Sequence, residues 1–156
     1  MLDIKVTLSQ NLKQKPADES ALGFGRIFTD HMFLMDYEKG IGWNNARIVP
    51  YGDFAMDPAA MVLHYGQAIF EGSKCYRRAD GGLQLFRPQD NLARMSRSAE
   101  RMGMPALDEE SALEDSHRGS PRASILQRQY KHPIAALLHL YRRGARARHV
   151  ILRLCP

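Results

Sequence analysis

FGRIFTDHMFLMDYEKGIGWNNARIV, residues 24–49, is the stretch on which the fold turns. Its first part, 24–37, is rich in aromatic and β-favouring residues and reads as a strand. Glu38-Lys39-Gly40 is a turn signal, and Trp43 to Val49 reads as the returning strand, ended by Pro50 and Gly52. Downstream, Asp57-Pro58 suits a helix start with Asp at the N-cap, so Ala59 to His64 is expected to be a short helix. Ala68 to Tyr76 and Leu83 to Phe86 read as two strands joined through Asp80-Gly81-Gly82, residues that tolerate positive φ. Pro88 then opens a second helix. Leu92, Met95, Ala99 and Met102 recur at spacings of three and four and form one apolar stripe. Gly103 and Pro105 end it. Upstream, residues 1–22 are polar and are expected to be an irregular lead-in. Strands joined by hairpins, with two helices, make an α+β pattern with a mostly antiparallel sheet.

The chain has 156 residues, one domain by length. No run approaches the roughly 18 apolar residues that span a bilayer. Asp3, Asp18 and Glu19 in the first twenty residues fit neither a secretory signal nor an acid-poor presequence. Cys75 and Cys155 are far apart and show no metal-ligand spacing, so a reduced, cytoplasmic setting is the simplest expectation. The net charge of +5 hides an asymmetry. Residues 1–115 hold 13 Lys and Arg against 17 Asp and Glu, whereas residues 116–156 hold 9 basic residues and no acid. Such a tail suits a nucleic-acid arm, or a segment of different origin from the body.

The residues alone say little about chemistry. There is no phosphate-binding glycine loop and no paired Cys/His ligand set. His31 and His64 lie in apolar segments and read as structural histidines. Asp30-His31, beside Thr29, suggests a catalytic dyad, but neighbours on a strand point to opposite faces. Arg94, Arg97 and Arg101 form either an anion site or a solvated helix face, and from the residues alone the solvated face is the expectation.

Three blocks change that reading: FGRIFTDHMFLMDY (24–37), HYGQAIFEGSKCYR (64–77) and LFRPQDNLARMSRSAERMGMP (85–105). In order and spacing they resemble consecutive blocks of the branched-chain amino acid aminotransferases. The resemblance runs from about Gly23 to Glu114. It implies the small N-terminal domain of a fold-type-IV pyridoxal 5'-phosphate enzyme, an antiparallel sheet with flanking helices. It further implies that Phe24, Tyr65 and Phe70 line the substrate pocket and that Arg94 holds the cofactor phosphate. An aromatic cage suits leucine, isoleucine and valine, whose branches need burial and offer no polar group. Guanidinium suits two phosphate oxygens. Glu71-Gly72 is read as backbone geometry, and Arg87 and Arg97 as surface or structural residues. The implied partners are branched-chain amino acids and 2-oxoglutarate, in a homodimer, without nucleic acid or membrane.

The same resemblance places the Schiff-base lysine of transamination in a large domain, beyond the length of this chain. Lys5, Lys13, Lys15, Lys39, Lys74 and Lys131 match no such motif, so no catalytic residue is assigned and these residues are expected to be inactive alone. The chain divides into a lead-in (1–22), a partial aminotransferase small domain (23–114) and an unassigned basic tail (115–156). Within the tail, Ile134 to Tyr141 suits two turns of helix. The tail's composition suits a disordered or out-of-frame segment, with a genuine tail as the alternative. Shifted by one base, the codons of Gln129 to Leu140 permit Ser-Thr-Ser-Ile, two residues, then Arg-Pro-Phe-Phe-Ile, close to the family's next block, TSLYIRPF. Two alternatives stand beside the enzyme fragment. One is a small domain kept as a binding scaffold with a nucleic-acid-contacting tail. The other is a regulatory subunit docking on a full-length relative.

Overall fold

In the computed structural model, which describes residues 3–14, 27–80, 82–105, 107, 134–143 and 147–155, the expected hairpin forms. After β1 (Lys5–Val6) come β2 (His31–Glu38) and β3 (Gly42–Pro50), paired antiparallel from His31 opposite Pro50 to Glu38 opposite Gly42. Gly40 and Gly42 turn the chain with φ of 94° and 93°, where a side chain would be strained. The strand starts later than its sequence suggests, because Ile27 to Asp30 are not strand.

Five successive residues of β2, His31 to Met35, are buried, as in a strand covered on both faces. Alternation divides them. Phe33 and Met35 join Ile48, Met95 and Ala99 in one cluster. Met32 and Leu34 meet Tyr51, Phe54 and Val62 in another. Helix α2 (Pro88–Arg101) covers the first face, and the segment leading into α1 (Met61–Tyr65) covers the second.

The stripe read from the sequence is the buried face of α2. Met95 and Ala99 are its buried residues, and burying a methionine contributes roughly 1.5–3 kcal/mol. Gly103, with φ 61°, closes the helix. Its N–H donates to the Glu100 carbonyl at 3.0 Å, and the Met104 N–H donates to the Ala99 carbonyl at 2.8 Å. That bond pair satisfies carbonyls the helix end would leave open. The shorter helix differs from its expected form. Asp57 does not cap α1; its Oδ1 accepts from the Ala59 N–H at 2.9 Å and its carbonyl from the Ala60 N–H at 2.9 Å. The aspartate thus makes a turn of its own, and α1 starts after Ala60.

With β4 (Ala68–Arg77), β5 (Leu83–Leu85), β6 (Ile134–Arg143) and β7 (Ala147–Cys155), the sheet has seven strands in the order β1-β3-β2-β7-β6-β4-β5. It is mixed, because β1 runs parallel to β3, Lys5 opposite Arg47. The lead-in is therefore not wholly irregular. A two-residue strand shows no alternation, and its partner lies forty residues away. The helix expected at 134–141 is also strand. Alanine and leucine favour helix, but β6 has β4 on one side and β7 on the other, and ladder bonds on both edges outweigh propensity. The basic segment's strands thus stand at the middle of the sheet. No helix among the described residues is long and apolar enough to cross a membrane.

Candidate functional site

β4 organises the site by its period of two. Ile69 and Glu71 are buried, whereas Phe70 between them is 53% exposed. Ile69 packs with Met95 and Ala99, so Glu71 shares the α2 face and Phe70 points the other way. That other face carries α1, whose Val62 packs against Met32 and Leu34. Tyr65 ends α1 and is 76% exposed. The structure therefore brings Tyr65 and Phe70 to one face of the sheet. Phe24 lies outside the described residues. Arg94 is not brought to their face; it rises from α2 to Glu71 on the opposite side of β4.

Glu71 is the residue that sequence reasoning missed. It is 6% exposed and collects four hydrogen bonds. Arg94 Nε donates to Oε2 at 2.7 Å, and Arg94 Nη2 donates to Oε1. Asn91 Nδ2 donates to Oε1 at 3.0 Å and also to the Gly72 carbonyl at 2.9 Å. The Gly72 N–H donates to Oε1 at 3.0 Å. Asn91 and Arg94 stand three apart on α2, on one helix face, and that spacing is the one sequence signal available. The Arg94 side chain remains 60% exposed.

Burial works to raise the Glu71 pKa. The hydrogen bonds from Arg94 and Asn91, the Arg94 charge and the Gly72 N–H outweigh it and hold the carboxyl below its ordinary 4.5. The same pairing pushes Arg94 up. A carboxylate with a lower pKa folded than unfolded adds stability that is complete above the unfolded value and lost as pH falls through the folded one. Urea midpoints of the wild type and of Glu71→Gln should therefore differ most above about pH 4.5 and converge under stronger acid. A gap between the two that widens on acidification would contradict this.

Five further polar residues singled out in the sequence make local contacts. His31 Nε2 accepts from the Ser9 N–H at 2.9 Å, Asp30 Oδ1 from the Lys13 N–H at 2.8 Å, and the Thr29 hydroxyl donates to the His31 carbonyl at 2.7 Å. They sew the N-terminal segment to the start of β2. His64 Nε2 meets the Pro58 carbonyl at 2.6 Å. Arg87 pairs with Asp90 at 2.6 Å on the surface.

Set beside known proteins, the chain is 60% identical over 102 residues to branched-chain-amino-acid transaminase 1 of Bacillus subtilis, covering 65% of this chain and 28% of that protein. It is 47% identical over 116 residues to a branched-chain-amino-acid aminotransferase of Mycolicibacterium smegmatis, covering 72% of this chain and 32% of that one. The chain thus spans under a third of the length of these relatives. No protein-family model matches it. Among solved structures, the Escherichia coli branched-chain amino acid aminotransferase aligns with a TM-score of 0.58 at 18% identity, over 81% of this chain and 40% of that one. The pyridoxal-phosphate form of the Thermobaculum terrenum enzyme aligns with a TM-score of 0.55 at 17% identity, over 80% and 39%. At such identities these alignments establish the fold, that of the smaller domain of a fold-type-IV aminotransferase.

Proposed function

We propose that this chain, which carries part of a branched-chain aminotransferase sequence, supplies one side of the cleft of a pyridoxal-phosphate-dependent branched-chain aminotransferase. Arg94 is the phosphate-holding residue. Tyr65, Phe70 and Phe24 bury the branched side chain of leucine, isoleucine or valine. The amino acceptor is 2-oxoglutarate, and the working assembly is a cytoplasmic homodimer.

The observation that supports this reading best is the state of Arg94: fixed by Glu71 along one edge, yet 60% exposed. A guanidinium has five N–H donors. Two go to Glu71, and among the described residues three meet no acceptor and are open to an anion. The donor set fits a phosphate. When bound, pyridoxal phosphate supplies the electron sink for chemistry at the substrate Cα. The chain's own residues do the rest of its share. Arg94 anchors the phosphate by charge-assisted bonds. Tyr65 and Phe70 exclude water from an apolar branch, which itself carries no hydroxyl or amide to strand. Arg94 and Phe70 lie on opposite faces of β4, so these residues by themselves do not enclose a pocket.

A chimera tests the reading. The matched segment of the Bacillus subtilis transaminase is replaced by the corresponding residues of this chain, and amino transfer from leucine to 2-oxoglutarate is measured. Turnover should survive, and Arg94→Ala in the chimera should weaken pyridoxal phosphate binding roughly 10- to 100-fold, the scale of a hydrogen-bonded charge pair. A folded chimera without turnover, or one indifferent to Arg94→Ala, would overturn it.

A further inference from the structure

The grip of Glu71 on Arg94 has a direction. Guanidinium offers two edges to a bidentate acceptor: the Nε–Nη2 edge at its side and the Nη1–Nη2 edge at its tip. Glu71 takes the side edge, through Nε and Nη2. Among the described residues no acceptor meets Nη1, and the side chain is 60% exposed. Glu71 cannot itself swing away. It is buried, and Asn91 and the Gly72 N–H hold its Oε1. Asn91 in turn bonds the Gly72 carbonyl, tying α2 to β4 at this point.

We propose that Glu71 is a positioning residue: by gripping the side edge of Arg94, it presents the tip edge to a phosphomonoester, with Asn91 as the lock behind it. This rests on the reading of Arg94 as the phosphate-holding residue and adds how its orientation is set. The reason is entropic. Arginine is long and rotamer-rich, and freezing it at the moment of binding costs affinity. Glu71 freezes it beforehand.

Charge alone predicts the opposite result, which makes the test sharp. Removing a carboxylate makes the surroundings of Arg94 more positive, and that by itself strengthens anion binding. Only lost positioning lowers it. The experiment uses the 156-residue chain and compares its affinities for pyridoxal phosphate and for pyridoxal, their ratio being the phosphate's share. Inorganic phosphate serves as competitor. Glu71→Ala should lower the ratio roughly three- to tenfold. Arg94→Ala should abolish it, and adding Glu71→Ala to Arg94→Ala should change nothing further. If Glu71→Ala leaves or raises the ratio while Arg94→Ala lowers it, the positioning role is wrong and the reading of Arg94 stands. If Arg94→Ala leaves the ratio intact, the reading of Arg94 falls and the positioning role falls with it. Circular dichroism checks each variant's fold. Should Glu71→Ala not fold, Asn91→Ala decides: a smaller fall in the ratio supports the lock, and an unchanged ratio overturns it.

Discussion

Met95→Asp should unfold the body of the chain. Met95 is 1% exposed and sits where α2 meets the sheet, in the cluster of Phe33, Ile48, Ile69 and Ala99. Replacing a buried methionine by alanine costs about 2–5 kcal/mol through lost transfer and an unfilled cavity. A carboxylate there costs more, because no cation in that cluster pairs with it and the group must protonate to stay. Whole domains are stable by only about 5–15 kcal/mol, so a loss of this size removes much of what holds the fold. Far-UV circular dichroism and urea titration check this. Met95→Asp should lose its cooperative transition, whereas Arg97→Ala, on the exposed side of the same helix, should stay within about 0.5 kcal/mol of wild type. An unchanged urea midpoint for Met95→Asp would contradict the packing described above.

The second large effect is on turnover. Supplied with pyridoxal phosphate, leucine and 2-oxoglutarate, the 156-residue chain should form no glutamate above the reagent background. Amino transfer needs an amine that bonds the cofactor and then moves the proton at Cα. A positioned acid–base group alone contributes about 10²- to 10⁴-fold, and the expectation is that both duties fall to one lysine. The resemblance places the lysine of both outside these residues. Lys13 is already committed to structure: its Nζ donates to the Phe28 and Thr29 carbonyls at 3.3 and 3.1 Å and lies 4.3 Å above the Tyr51 ring. Arg94 and the aromatics bind and orient, and neither task breaks the Cα–H bond. Glutamate production that scales with protein and disappears on denaturation would contradict this.

Local order was the legible part of the fold. The β2–β3 hairpin follows from β-favouring residues on either side of a turn signal, and α2 from a stripe at spacings of three and four closed by Gly103. Both patterns are written within twenty-six residues or fewer, so a reading of neighbours finds them. Non-local order was not legible. β1 is too short to show a period, and β6 has the composition of a helix; each is strand because of a partner distant in sequence. The composition break near Asp115 was visible, but not that Ile134–Arg143 and Ala147–Cys155 would take central places in the sheet.

The site divides the same way. Tyr65, Phe70 and Arg94 came from the second and third matched blocks, and structure adds that the two aromatics share a face that Arg94 does not. Glu71 was taken for a mark of backbone geometry because it stands beside glycine. Its partners, Asn91 and Arg94, are twenty and twenty-three residues away, and only the packing of α2 on β4 joins them. The spacing of Asn91 and Arg94 hints at a shared helix face, but it does not name the buried acid they meet, since that charge is satisfied across elements.

Borohydride reduction of the 156-residue protein with pyridoxal phosphate, followed by peptide mapping, asks most directly whether this chain grips the cofactor without bonding it. Phosphate-dependent binding should be present, and none of Lys5, Lys13, Lys15, Lys39, Lys74 and Lys131 should carry a pyridoxyl group beyond the level found in the unfolded protein. One lysine modified to near completion in the folded protein, and spared once it is denatured, would contradict it.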